Sequence, residues 1–220
     1  MKITLPTFEY ELEILRGGEI VIAGVDEVGR GALAGPIVAA AVVFDYKIAS
    51  DLYRSRQITR ISDSKLLTRT QREAADKIIR KRASEIAIGQ VEVPEIDKFG
   101  IGAANVLAFK RALDGLSKCD FVLIDGRRFR GFEYGYRCLI KGESKSISIA
   151  AASIIAKVYR DKLMKGLHKE FEIYNFAKNF GYGTKYHIAS IKKHGPSPHH
   201  RKSFLKKIYS ETQSKKIPLS

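Results

Sequence analysis

The stretch IVIAGVDEVGRGALAGPIVAAAVVF, residues 20–44, decides how this chain is read. Ile20 to Val25 is a short, apolar, β-branched run of the kind that forms a buried strand. It ends on two adjacent carboxylates, Asp26 and Glu27, and Gly29, Arg30 and Gly31 follow. A second apolar run extends from Ile37 to Phe44. A strand that carries acids into a glycine-bounded turn beside an arginine is a poor way to build a core. It is a good way to hold a cation near a phosphate.

Working outward, the sequence predicts strands alternating with helices. Upstream, Leu5, Phe8, Leu12 and Leu15 have rough helical spacing, and Gly17-Gly18 stops whatever forms. Downstream, residues 45–67 are polar and turn-rich. A helix is expected to begin near Thr68 or Thr70, with Thr70 and Glu73 as a capping box and Ala75 and Ile79 on the inner face. Ile86, Ile88, Val91 and Val93 read as a third strand, bulged at Gly89-Gln90. Pro94 to Gly100 reads as a connection. A second helix is expected from Ile101 to Leu116, with Val106, Phe109, Leu113 and Leu116 inward. Phe121 to Ile124 makes a fourth strand that ends, like the first, on a carboxylate and a glycine, Asp125-Gly126. Tyr136 to Ile140 is a fifth strand, followed by Lys141-Gly142-Glu143. Ser148 to about Glu172 is a long helix whose alanine-rich start implies a close neighbour. Thr184 caps a helix ending at His194, with Gly195 and Pro196 as stop signals. Because the first two strands lie close in sequence, an α/β domain with a mixed sheet and an antiparallel start is expected.

Asp26 and Asp125 both stand at the tip of an apolar strand, where ligand sites of open α/β sheets gather. Packed acids raise one another's pKa, and a hard divalent cation relieves the repulsion. Oxygen ligands select Mg²⁺ or Mn²⁺. Two such ions roughly 3.5–4 Å apart are a device for in-line phosphoryl displacement. Glu27 and Glu143 complete the candidate cluster. Strand neighbours point to opposite faces, so Asp26 and Glu27 cannot both reach one ion in the same way. Either the strand has ended by Glu27, or one of the two acts through its backbone carbonyl or a water. Gly29, Gly31 and Ala34 also fit a dinucleotide fingerprint. A Pro36-led β-branched run where a helix should start, and two acids facing a pyrophosphate, exclude that enzyme class.

The 220 residues carry a formal net charge of +15, which favours a polyanionic partner. With 45% hydrophobic and 29% charged residues, the chain has the material for a packed core and does not read as disordered. Cys119 and Cys138 form neither a metal motif nor a disulfide framework, as in a reducing compartment. No uncharged run reaches the roughly 20 residues that span a bilayer. The N-terminal segment has no apolar core of secretory type, so an unanchored cytoplasmic protein is expected.

The segments GVDEVGRGALAGPIVAAAV, DSKLL, VLIDG, KGESKSISIAAASIIAKVYRD, GYGTKYH and HGPSPHHRKSF, in that order, resemble the bacterial type 2 ribonucleases H, the ribonuclease HII family. They cover most of residues 20–205. The resemblance implies a ribonuclease H-like α/β fold, with a mixed central sheet flanked by helices and a helical C-terminal part. It also implies an endonuclease, using Mg²⁺ or Mn²⁺, that cuts RNA–DNA hybrids and duplex DNA containing single ribonucleotides. The ends left would be 3′-hydroxyl and 5′-phosphate. By motif position Asp26, Glu27, Asp125 and Glu143 are the metal-binding acids, although Glu143 stands where the family usually has aspartate. Gly29, Arg30 and Gly31 match the segment that reads the ribose 2′-hydroxyl, and Tyr182 the tyrosine that stacks on the adjoining sugar. Ser64 and Lys65 are expected at phosphate, and Asp161 as a structural acid or one that backs the metal ligands. The five histidines read as caps or phosphate contacts. The basic runs, among them Arg127, Arg128, Arg130, Lys192, Lys193, Arg201 and Lys202, read as salt-dependent backbone affinity. Residues 1–18 are taken as an extension, 19–210 as the catalytic domain and 211–220 as a tail, in a monomer. The competing class is a nucleic-acid-binding module without turnover.

Overall fold

The computed structural model describes residues 5–18, 20–45, 61, 64, 66–126 and 132–213. Five strands, β1 (Ile22–Val28), β2 (Ile37–Val43), β3 (Glu85–Val91), β4 (Phe121–Asp125) and β5 (Tyr136–Leu139), form one sheet in the order β3-β2-β1-β4-β5. The first three pair antiparallel, while β4 runs parallel to β1 and β5 parallel to β4. This is the mixed sheet with a hairpin start that the sequence implies. The helices are α1 (Glu9–Leu15), α2 (Arg69–Arg82), α3 (Val93–Leu113), α4 (Ile147–Glu170), α5 (Phe176–Asn179), α6 (Lys185–His194) and α7 (Lys202–Gln213).

Strand alternation divides the core into two layers. Val38, Ala40 and Val42 face α4, packing with Ile147, Ala151, Ile154 and Ile155. Ala23, Val25, Ile37, Ala39 and Ala41 face α3, packing with Ala104, Ala108, Phe109, Ala112 and Leu113. Each buried Ile, Val or Phe contributes roughly 1.5–3 kcal/mol. The alanine-rich start of α4 does lie close to another element. A Cβ at Gly24 would overlap the backbone of Ser148, so β1 and the first turn of α4 touch main chain to main chain.

Four local expectations are corrected. The capping box of α2 is Thr68 with Gln71, two residues earlier than Thr70 with Glu73, because the helix begins at Arg69. β3 has no bulge: its register with β2 is continuous from Val91 opposite Ile37 to Glu85 opposite Val43. Gly89 is there because α3 crosses at that point, and a Cβ would strike the Ala108 carbonyl. Val93 is not a strand residue, nor is Pro94 to Gly100 a mere connection. Together they form the first turns of α3, with proline at the start, and Gly100, at φ 79° and ψ 162°, marks a kink. The inner face of α3 is carried by Phe109 and Leu113, as expected, together with Ala104, Ala108 and Ala112, and not by Val106.

Ser62, Asp63, Lys65, Arg127, Arg128 and Arg130 lie outside the described residues. Among the described residues, no helix is long and apolar enough to cross a membrane.

Candidate active site

Asp26 stands opposite Ala40 in the β1–β2 register, on the sheet face covered by α4. It is buried, and its carboxylate accepts a hydrogen bond from Ser153 of α4. Burial first, then the charges of Glu27 and Asp125, raise its pKa well above the usual carboxylate range, with the Ser153 hydrogen bond working against them. Asp125 is the last residue of β4, two positions beyond Leu123, which packs on the same face as Ile149 of α4. Its Oδ1 accepts the backbone N–H of Gly142 at 2.6 Å. That bond fixes the short 3₁₀ turn Gly142–Ser144 and with it the buried Glu143. Lys141, at φ 56°, takes a left-handed conformation uncommon for a residue with a side chain and turns the chain back toward the sheet.

These three elements bring Asp26, Asp125 and Glu143 together. One oxygen from each carboxylate lies within 4.8 Å of the other two. Three converging oxygen ligands, one of them an acid whose charge is disfavoured by its surroundings, suit a hard divalent cation. The longer Glu143 side chain therefore brings its carboxylate into the cluster itself.

Glu27 is placed differently. β1 continues to Val28, so the strand has not ended, and Glu27 faces the α3 side. Burial raises its pKa, and the charge and hydrogen bond of Arg30 pull it back. Glu27 Oε1 and Arg30 Nη1 are 3.3 Å apart. Asn105 of α3, almost wholly buried, also favours the Glu27 carboxylate. Among the described residues its amide atoms form no hydrogen bond, so it acts on Glu27 by proximity.

The loop after β1 carries Gly29, Arg30 and Gly31, the last two exposed. Behind it lies the half-buried Tyr182, whose ring faces the Arg160 guanidinium at 5.6 Å. Ser64 does not point outward: its Oγ meets Ser153 Oγ at 2.8 Å, one hydrogen bond removed from Asp26. Asp161 pairs with Lys157 at 2.7 Å and with Arg72 at 3.9 Å, as a structural acid would.

The reading of all five histidines as caps or phosphate contacts is corrected at two positions. His187 and His200 are buried and bonded to each other, Nε2 to Nε2, at 3.0 Å. His200 Nδ1 accepts the Ser197 N–H, so its proton sits on Nε2, and His187 donates from Nδ1 to the Tyr182 carbonyl. Arg201 is likewise no surface cation: it is fully buried, as is Arg160. Ser153, Asn105, Glu11 and the structural use of these arginines escaped the sequence reading. Only the excess of polar groups inside otherwise apolar runs, such as Ser153 within the alanines of α4, could have signalled them.

A mixed sheet in this order, with carboxylates gathered at the edge of the face beneath the long helix, defines a ribonuclease H-like enzyme. Residues 23–209 match the ribonuclease HII family model. A ribonuclease HII of Clostridium botulinum (strain Loch Maree / Type A3) is 49% identical over 200 residues, 90% of this chain and 73% of the relative. The structure of ribonuclease H2 from Pyrococcus horikoshii OT3 is similar with a TM-score of 0.70 at 26% identity, covering 88% of this chain and 99% of that one. Bst-RNase HIII, solved in complex with Mn²⁺, shares the fold with a TM-score of 0.65 at 19% identity, over 90% of this chain and 71% of that one. The chain belongs to the ribonuclease HII family and is an endoribonuclease of the ribonuclease H type.

Proposed function

We propose that the enzyme hydrolyses the phosphodiester on the 5′ side of a ribonucleotide, both in RNA–DNA hybrids and at single ribonucleotides embedded in duplex DNA. It leaves 3′-hydroxyl and 5′-phosphate ends and uses two Mg²⁺ or Mn²⁺ ions. It acts as a monomer in the cytoplasm, in the removal of ribonucleotides from DNA. The observation that carries this reading is the convergence of Asp26, Asp125 and Glu143 within 4.8 Å on one sheet face. Family membership and the Mn²⁺ complex of the similar HIII structure support it further.

Asp26, Asp125 and Glu143 would hold the cations, which when bound supply Lewis acidity at the scissile phosphate. Glu27, on the opposite face, contributes through its backbone carbonyl or a water. The Gly29–Gly31 loop offers backbone groups to the ribose 2′-hydroxyl, the one group that separates RNA from DNA. Tyr182 stacks on the neighbouring sugar. Arg30 and Lys65 meet phosphate, and Ser64 steadies Asp26 through Ser153. No protein nucleophile is required.

The test is one assay on three duplexes: an RNA–DNA hybrid, DNA with a single ribonucleotide, and the all-DNA control. With Mg²⁺ or Mn²⁺ the first two are cut, and product sizing places the break on the 5′ side of the ribonucleotide. Equal cutting of the all-DNA control, or binding without turnover in either ion, rules the proposal out.

A further inference from the structure

Arg160 of α4 and Arg201, just before α7, are buried side by side, and among the described residues neither pairs with a carboxylate within salt-bridge distance. Burial and the neighbouring Arg160 push the Arg201 pKa down to about 9. Two like charges without a counter-ion inside a fold are strongly unfavourable, and apolar side chains of the same volume would fill the space at less cost.

What the arginines touch suggests why they are there. Arg160 donates from Nε to the Pro36 carbonyl at 2.9 Å, from Nη2 to Ala34 at 3.0 Å and from Nη1 to Phe180 at 2.8 Å. Arg201 donates from Nε and Nη2 to the Gly35 carbonyl at 3.0 and 2.8 Å, and from Nη1 to Arg30 at 3.0 Å. Four carbonyls of the loop after β1 are thus turned inward. The N–H groups of Ala32, Leu33, Ala34 and Gly35 are used within the fold, by the carbonyls of Gly29, Gly181 and His199. Among the described residues, Arg30 and Gly31 give their N–H groups to no acceptor, and both are exposed. Gly29 lies directly on the cation: at φ 94°, its Cβ would collide with Arg160 Nε.

We propose that Arg160 and Arg201 are positioning residues for substrate discrimination, drawing the loop carbonyls inward so that Arg30 and Gly31 present their N–H groups to the 2′-oxygen of a ribonucleotide. The inference rests on the function proposed above and adds the groups that set the loop. Arg160 also serves the other wall of the site, since it holds the Phe180 carbonyl and lies under the Tyr182 ring.

The experiment measures Kd for two duplexes that differ in a single 2′-hydroxyl, in an Asp125→Asn protein that binds without cutting. One neutral hydrogen bond corresponds to roughly a three- to tenfold preference for the ribonucleotide duplex. Arg160→Lys and Arg201→Lys keep the charge but cannot hold two carbonyls in the geometry of a planar fork. In either, the preference is expected to fall to about unity, while each change made with Asp125 intact leaves the Mn²⁺-induced thermal shift unaltered. Folded lysine variants that keep the parent's preference overturn the proposal. If neither folds, Gly29→Ala decides: it retains both arginines but lifts the loop from Arg160, and an unchanged preference there is equally fatal. A parent protein without any preference overturns the functional reading as well, which separates the two failures.

Discussion

Asp26 and Glu27 are adjacent in β1, yet they serve opposite faces of the sheet. Asp26 is tied to Ser153 beneath α4, and Glu27 to Arg30 and Asn105 on the α3 side. Strand alternation implies that the two cannot reach one ion in the same way, and the structure places them accordingly. Only Asp26 joins Asp125 and Glu143 in the three-carboxylate cluster.

The first prediction concerns that cluster. Mg²⁺ or Mn²⁺ in about 100-fold excess over its Kd stabilises the folded state by about 2.7 kcal/mol, and EDTA reverses the effect. Asp125→Asn is expected to lose most of this thermal shift and all cleavage, while duplex affinity, measured by fluorescence anisotropy, stays within a few-fold of wild type. Retained cleavage would remove Asp125 from the site.

Acid is expected to loosen the Tyr182 loop through the His187–His200 pair. Burial, then the charge of His187, lowers the His200 pKa from 6.5 to about 4. His187 is lowered too, by burial. The surroundings facing the pair are Tyr174, Phe176, Ser197 and His199, none of them acidic. The folded state therefore excludes a proton that the unfolded imidazole binds. The stability held by the pair is complete above pH 6.5 and is lost as the pH falls from there toward 4. The loss is on the order of 1–3 kcal/mol. Urea midpoints across that range, compared with those of His200→Asn, would reveal it as a flatter pH profile in the variant.

Glu11 anchors α1 to the start of α4. Its Oε1 accepts from Ser146 Oγ and Ser148 Oγ, both at 2.6 Å, and from the Ser148 N–H at 3.1 Å. The carboxylate thus sits at the positive end of a 24-residue helix, although burial raises its pKa. Glu11→Ala strands three buried donors and should cost roughly 1–3 kcal/mol in chemical denaturation. Glu11→Gln, which still accepts, should lose less. Ser146 lies three residues beyond Glu143, so the alanine variant should also need more Mn²⁺ for half-maximal cleavage.

Gly24→Ala tests the contact between β1 and α4. The new Cβ meets the Ser148 backbone, which cannot rotate away, and overpacking of this kind costs about 1–3 kcal/mol. Displacement of α4 also moves Ser153 relative to Asp26. Stability and cleavage should therefore fall together, and loss of stability with full activity would show that Ser153 is not needed to hold Asp26.

The sequence by itself determined the strands, because runs such as Ile37 to Val43 are buried on both faces and leave no polar side to mistake. It also determined the strand-tip position of Asp125, through the abrupt change from apolar residues to a carboxylate and a glycine, whereas Asp26, read the same way, lies inside β1, which runs on to Val28. Only the tertiary structure decided which face each acid serves, since period-2 alternation assigns faces only once the register and the covering helices are known. It alone decided that Arg201 and His200 lie inside, although they occur in a basic stretch that reads as surface. Charge in a sequence is counted residue by residue, whereas the partners that make a buried charge tolerable, here the carbonyls of residues 30–36, come from the far end of the chain.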